Sequence, residues 1–257
     1  MRILWLVLLG LLSYVVGVLV FFPAAPVVER IKPQLAPIAL EGVSGKLYSG
    51  QIDSVRSMDD LLPLEFSNVG WTLAPTTLLT ASAGARFRFE GYGGEGQGLA
   101  ARRYNGEIRI SDFAFNAQAK ALEPLLPVPI ASFNGELTGE IEAITLVDQL
   151  LERFEGTLIW SNAQLESPVP TALGTLQVQI TPDGEQAHRI TLDASGGDVA
   201  MDGTVMLSLN GDFSADIMFT PAANAPAGVV NGVRQIGRPD AEGRVRFVRE
   251  GNVNRLM

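Results

Sequence analysis

The stretch from Ile3 to Phe22, ILWLVLLGLLSYVVGVLVFF, holds no charged residue. A helix of that length spans about 30 Å, the thickness of a bilayer's hydrocarbon core. A cleavable leader has a shorter apolar run and a small-x-small cleavage site. Here the run exits through Pro23-Ala24-Ala25-Pro26, where proline directly after the cut would obstruct processing. A retained transmembrane anchor is therefore predicted. Only Arg2 precedes it, whereas Glu29, Arg30 and Lys32 follow, so the positive-inside count is nearly even. The large acidic remainder sets the orientation: N-terminus in the cytoplasm, bulk of the chain exported.

Three segments follow from this. Residues 1–28 form the cytoplasmic start and anchor, 29–41 a proline-containing spacer, and 42–257 a periplasmic domain. Prolines 23, 26, 33 and 37 allow at most a short helix over 27–31. The remainder is long enough for one large β domain, with an alternative break near 122–130 at the proline-interrupted LEPLLPVP.

The fold class predicted is mainly β: one N-terminal transmembrane helix, then a curved antiparallel sheet with one or two short helices. The 27 glycines and 15 prolines have no fixed period and alternate with Val, Leu, Ile and Phe. In Ala85-Arg86-Phe87-Arg88-Phe89-Glu90 every second residue is charged, which gives a strand one wet and one buried face. A polar-Gly phrase recurs at Asn105-Gly106, Asn134-Gly135, Glu155-Gly156, Asp202-Gly203, Asn210-Gly211 and Glu242-Gly243. Such pairs supply the positive φ of tight hairpin turns, and their uneven spacing favours a meander over a solenoid. Ala143–Phe154 reads as a short helix or, nearly as well, a strand. Ala227–Ile236 places Val229, Val230, Val233 and Ile236 on one helical face and stops at Gly237 as C-cap.

Composition narrows the chemistry. A net charge of −9 opposes phosphate capture, so nucleic acid is not expected as a partner. Without cysteine there is no disulfide, thiolate nucleophile or thiolate metal site. Gly45-Lys46 lacks the glycine spacing and the following hydroxyl of a phosphate loop. Gly91–Leu99 resembles one calcium nonapeptide but has Gly98 in place of the liganding Asp, so it reads as a flexible hairpin connection. His188, the single histidine, has no Cys or second His to join and is assigned to an exposed hairpin. Asp193, Asp198 and Asp202 could hold a hard cation, but Asp beside Gly is ordinary turn chemistry. No enzyme, metal or cofactor is expected.

The candidate residues are therefore contact residues. Tyr48, Trp71 and Trp160 are the aromatics suited to anchor an interface. Arg244 and Arg246 are read as sharing a strand face that could meet lipid headgroups or an acidic partner.

Several phrases then resemble a known family in their order. They are Val43-Ser44-Gly45-Lys46-Leu47-Tyr48-Ser49-Gly50, Val69-Gly70-Trp71-Thr72-Leu73-Ala74-Pro75 followed by Leu78-Leu79, Gly156-Thr157-Leu158-Ile159-Trp160, and the close from Gly203 to Gly243. Together with the apolar start and the length, they resemble type II secretion system protein N. Tyr48 stands where that family usually has Trp, and Lys46 where a small hydroxyl residue is common. The resemblance implies a single-pass inner-membrane protein of a Gram-negative bacterium with a periplasmic β domain. It would be a non-catalytic accessory part of the machine that exports folded proteins across the outer membrane, in contact with its other components. An alternative reading is an AsmA-like envelope protein that binds or transfers lipid in an apolar β groove.

Overall fold

The computed structural model describes residues 2–58, 63–125, 132–147, 150–167, 169–184 and 186–253, with the side chains at 2, 12, 16, 19 and 34 outside that description. Helix α1, Arg2–Phe21, is followed by α2, Ala25–Ile31. Pro26 opens α2, where its missing N–H costs nothing. Among the described residues no helix is long and apolar enough to cross a membrane.

The remaining chain is almost entirely strand. β1 covers Ile38–Gly45, β2 Ser49–Ser57, β3 Glu65–Leu73, β4 Ser82–Gly91 and β5 Gly94–Arg103. β6 follows at Ile108–Gln118, β7 at Ser132–Val147, β8 at Leu150–Ser167 and β9 at Thr171–Pro182. β10 is Ala187–Gly196, β11 Val199–Ser208, β12 Asp212–Pro221 and β13 Val245–Asn252, with α3, Ala227–Ile236, between the last two. The strands form one 13-stranded sheet in simple chain order. Every pairing is antiparallel between sequence neighbours, as the meander reading expects.

Register fixes the two faces. Leu158, Val178, Leu192, Gly203, Ile217 and Phe247 stand opposite one another across six successive strands. One residue away, Ile159, Gln177, Asp193, Asp202, Met218 and Arg246 form the matching row on the other side. The period of two therefore builds one apolar and one largely polar face. Most of the apolar row is only half-buried, because little lies over it. The exception is the C-terminal end, where Val229 and Val233 of α3 close on Val199 and Val245, flanked by Val169 and Phe219.

Several expectations change. Of the 143–154 stretch, 143–147 end β7 and 150–154 open β8, the strand alternative, while 148 and 149 lie outside the described residues. The Gly91–Leu99 stretch is a tight Tyr92-Gly93 turn, both residues at positive φ, leading into regular β5. Its glycines make room for rings: a Cβ on Gly96 would sit 2.4 Å from Phe89 Cζ. Among the polar-Gly phrases, Gly106, Gly211 and Gly243 have the positive φ of turns, while Gly135 has it inside β7. Gly156 and Gly203 lie within strands instead. At Gly203 the reason is close approach, since a Cβ would lie 2.6 Å from the Asp216 carbonyl oxygen. Gly237 is extended, so α3 ends without the left-handed cap predicted.

Three strands carry the same irregularity. Asn68, Asp112 and Asn162 have φ of 51°, 51° and 50°. Each follows a serine, and each sits in a stretch where the register shifts against a neighbouring strand. Asn and Asp tolerate the left-handed region, so Ser-Asx places a bulge and with it extra local twist. The 122–130 segment falls between β6 and β7, which pair without a shift; 122–125 belong to the 3-10 segment Ala119–Leu125, and the other positions lie outside the described residues.

Candidate interaction surface

The five contact residues predicted from sequence do not form one site. Trp71 sits near the end of β3, half-buried, with Nε1 donating to the Leu47 carbonyl at 3.1 Å. Its ring lies where a Cβ on Gly50 would be. Tyr48, in the β1–β2 turn beside it, is 39% exposed, and its carbonyl accepts the Leu73 N–H at 2.8 Å. Trp160 lies five strands away on β8. Its Nε1 donates to the Asn134 carbonyl at 3.0 Å, and its ring meets Phe133 edge-on at 5.9 Å. Both indoles thus have their polar atom satisfied within the sheet, and of the three aromatics Tyr48 is the one classed as exposed.

The arginines are engaged by the chain's own carboxylates. Arg244 lies just before β13, where Nε donates to Asp240 Oδ2 at 2.8 Å and Nη2 to Glu242 at 3.2 Å. Arg246, on β13, grips both oxygens of Asp216 on β12, at 2.8 and 2.5 Å. The Arg246 hydrogen bond holds the Asp216 carboxyl below its ordinary range, and the Asp240 hydrogen bond raises Arg244. Sequence showed Asp240 and Glu242 beside Arg244. It gave no hint of Asp216, thirty residues from Arg246.

Three features escaped the sequence reading. The first is a ladder of phenyl rings on the apolar face of β3 to β6. Phe66 meets Phe89 at 4.7 Å, Phe89 lies 6.3 Å from Phe87 and 6.2 Å from Phe113, and Phe113 stacks on Phe115 at 5.5 Å. Alternation predicted the shared face of Phe87 and Phe89, but the ladder depends on how neighbouring strands are registered.

The second is a cavity of about 660 Å³ over the polar side of β2 to β7, lined by Gln51, Arg88, Glu90, Glu95, Asn116 and Glu140 among others. Asn68 bridges two of its walls, donating to Glu90 at 2.9 Å and accepting from Gln51 at 3.2 Å.

The third is His188, assigned from sequence to an exposed hairpin but in fact 4% exposed. Its Nε2 accepts the Phe154 N–H at 2.9 Å across β9. Register places Phe154 beyond the last β8–β9 pair and His188 opposite Pro182. The imidazole thus supplies an acceptor to a β8 N–H that lies past the end of the β8–β9 ladder. Burial lowers its pKa first, and the positive charge of Arg153 lowers it further.

No group of three metal-ligating side chains exists among the described residues. Asp198 accepts the Ala172 N–H at 2.9 Å in its turn, as the turn reading expects, while Asp193 and Asp202 face each other across β10 and β11.

The profile described as "Type II secretion system (T2SS), protein N" matches residues 36–248. Type II secretion system protein N of Vibrio cholerae serotype O1 is 27% identical over 245 residues, covering 92% of this chain and 93% of its own. The protein of the same name from Aeromonas hydrophila is 25% identical over 253 residues, covering 95% and 96%. No solved structure matches the chain significantly.

Proposed function

This chain belongs to the type II secretion system protein N family, and we propose on that premise that it serves the secretion machine as a non-catalytic accessory part. In this reading α1 anchors it in the inner membrane and the sheet stands in the periplasm. The observation that carries the proposal is the match over residues 36–248, which takes in every strand but the end of β13. Its contacts would come from surface shape: the two open edges, β1 and β13, each with a single strand neighbour, and exposed groups such as Tyr48. Arg244 and Arg246 would contribute chiefly by holding the last strand to its surroundings.

Proximity labelling in cells from an enzyme fused after Met257 tests the assignment. Enrichment of other secretion components is expected; their absence overturns it. A reporter fused at the same point tests placement. Activity only in the periplasm is expected, and activity in the cytoplasm overturns the orientation.

A second reading, lipid binding, is favoured by one observation: the phenyl ladder and the rows beside it are half-buried with little over them. Photoactivatable phospholipid added to the full-length protein should then label peptides bearing Phe87, Phe113 or Leu158. Labelling confined to α1 would remove the idea.

A further inference from the structure

In a meander, alternate turns fall at opposite rims of the sheet. The turns joining β1 to β2, β3 to β4, β5 to β6, β7 to β8, β9 to β10 and β11 to β12 therefore share one rim. The end of α1 is fastened to this same rim. The Leu47 N–H donates to the Phe22 carbonyl at 3.0 Å, the Ala24 N–H to the Gly45 carbonyl at 3.0 Å, and Lys46 lies over the Phe21 ring at 5.1 Å.

Large apolar side chains stand in water along this rim. Leu79 is 89% exposed in the β3–β4 connection, Tyr104 89% in the β5–β6 turn and Leu150 73% at the β7–β8 tip. Leu78, Leu151 and Tyr48 flank them at 67%, 39% and 39%. The opposite rim has fewer such groups, Met58, Ile38 and Ile236 among the described residues. Basic side chains accompany the apolar ones at or near the α1 rim: Lys46, Arg102 and Arg109, together with Arg103 and Arg153, which are paired to Glu107 and Glu155.

We propose that this rim is a membrane-docking edge, the tips bearing Leu79, Tyr104 and Leu150 entering the lipid interface beside α1. The proposal rests on the reading that α1 sits in the bilayer and adds that the sheet lies on its surface. Leu and Tyr on the connections suit the headgroup boundary, and Lys46, Arg102 and Arg109 beside them suit anionic phosphates. Three separate connections, distant in sequence, carry the same kind of side chain to the same end, and that end continues an apolar helix. A protein partner would not require the helix and the tips to coincide.

The chain has no cysteine, so single labels can be placed cleanly. The full-length variants Leu79→Cys, Tyr104→Cys, Leu150→Cys, Met58→Cys and Leu9→Cys would each carry an environment-sensitive fluorophore. They would be reconstituted into phosphatidylethanolamine and phosphatidylglycerol vesicles containing lipids with nitroxide-labelled headgroups or acyl chains. Labels at 79, 104 and 150 should lose most of their fluorescence to the headgroup quencher and shift to the blue, while the label at 58 stays bright. Unquenched labels at all three tips would overturn the docking edge. The label at 9 reports α1 separately: quenched by acyl-chain nitroxide while the tips stay bright, it leaves the anchor standing and sinks only the edge. Bright at 9 with quenched tips, the anchor fails and the edge survives. Each substituted side chain is at least half exposed, so none is required for folding.

Discussion

His188 is where one residue's chemistry is most exposed to test. Its Nε2 accepts a hydrogen bond, so the proton of the neutral ring belongs on Nδ1. The folded pKa lies below the ordinary value of 6.5. Above that value both states are neutral; as pH falls below it, the unfolded chain binds a proton that the folded chain resists. Stability should therefore fall from about pH 7 toward about pH 5, and His188→Leu should flatten that dependence. The same variant leaves the Phe154 N–H unpaired and should cost about 1–3 kcal/mol at neutral pH. Chemical denaturation followed by circular dichroism at several pH values reads both effects. None of this was legible in the sequence, where a lone histidine beside Asp-Gly looks like a turn residue. Its place beside β9, with Nε2 reaching Phe154 of β8, comes from a strand pairing that composition does not display.

At the scale of elements, alternation was legible wherever a strand kept a regular register. Ala85–Glu90 lies in β4 with the expected faces, and the helical period of Ala227–Ile236 gave α3 its bounds though not its C-terminal cap. The Ser-Asx bulges were not legible, because Ser-Asn and Ser-Asp read as turns until a neighbouring strand runs past them. Asn68→Val should cost about 1–2 kcal/mol, since a β-branched residue resists the left-handed region, whereas Asn68→Gly should stay near neutral in backbone terms. Thermal denaturation of the two variants separates conformation from the side-chain bonds that both remove. Helix α3 makes a second contrast. Val233, 6% exposed against the sheet, should cost about 1–3 kcal/mol on truncation to Ala. Ile236, 44% exposed on the same helix, should change stability by about 0.5 kcal/mol or less. Equal effects, measured by denaturant midpoint, would mean that α3 does not hold the sheet as described.

For the whole molecule, pairing in chain order means that cohesion is passed from each strand to the next. β7 and β8, the longest strands, are flanked on both sides, whereas β1 and β13 have one strand neighbour each. Hydrogen exchange on the full-length protein should show amides of the two outer strands exchanging at least about tenfold faster than those of β7 to β9, with β13 slowed where α3 covers it. Uniform protection across the sheet would show that it opens as one unit. The sequence supported a meander because its turn phrases were unevenly spaced. It could not number the strands, because Gly156 and Gly203 looked like turns and lie inside strands. It also placed Arg244 and Arg246 on one free face, when each is committed to a carboxylate of the chain.

Because the backbone ladder joins each strand only to its predecessor and successor, excising two consecutive strands would leave a shorter ribbon in which one new pairing forms and every other pairing and direction is kept. Length in this architecture is thus quantised in hairpins, and lineages could grow or trim the ribbon two strands at a time without redesigning what remains.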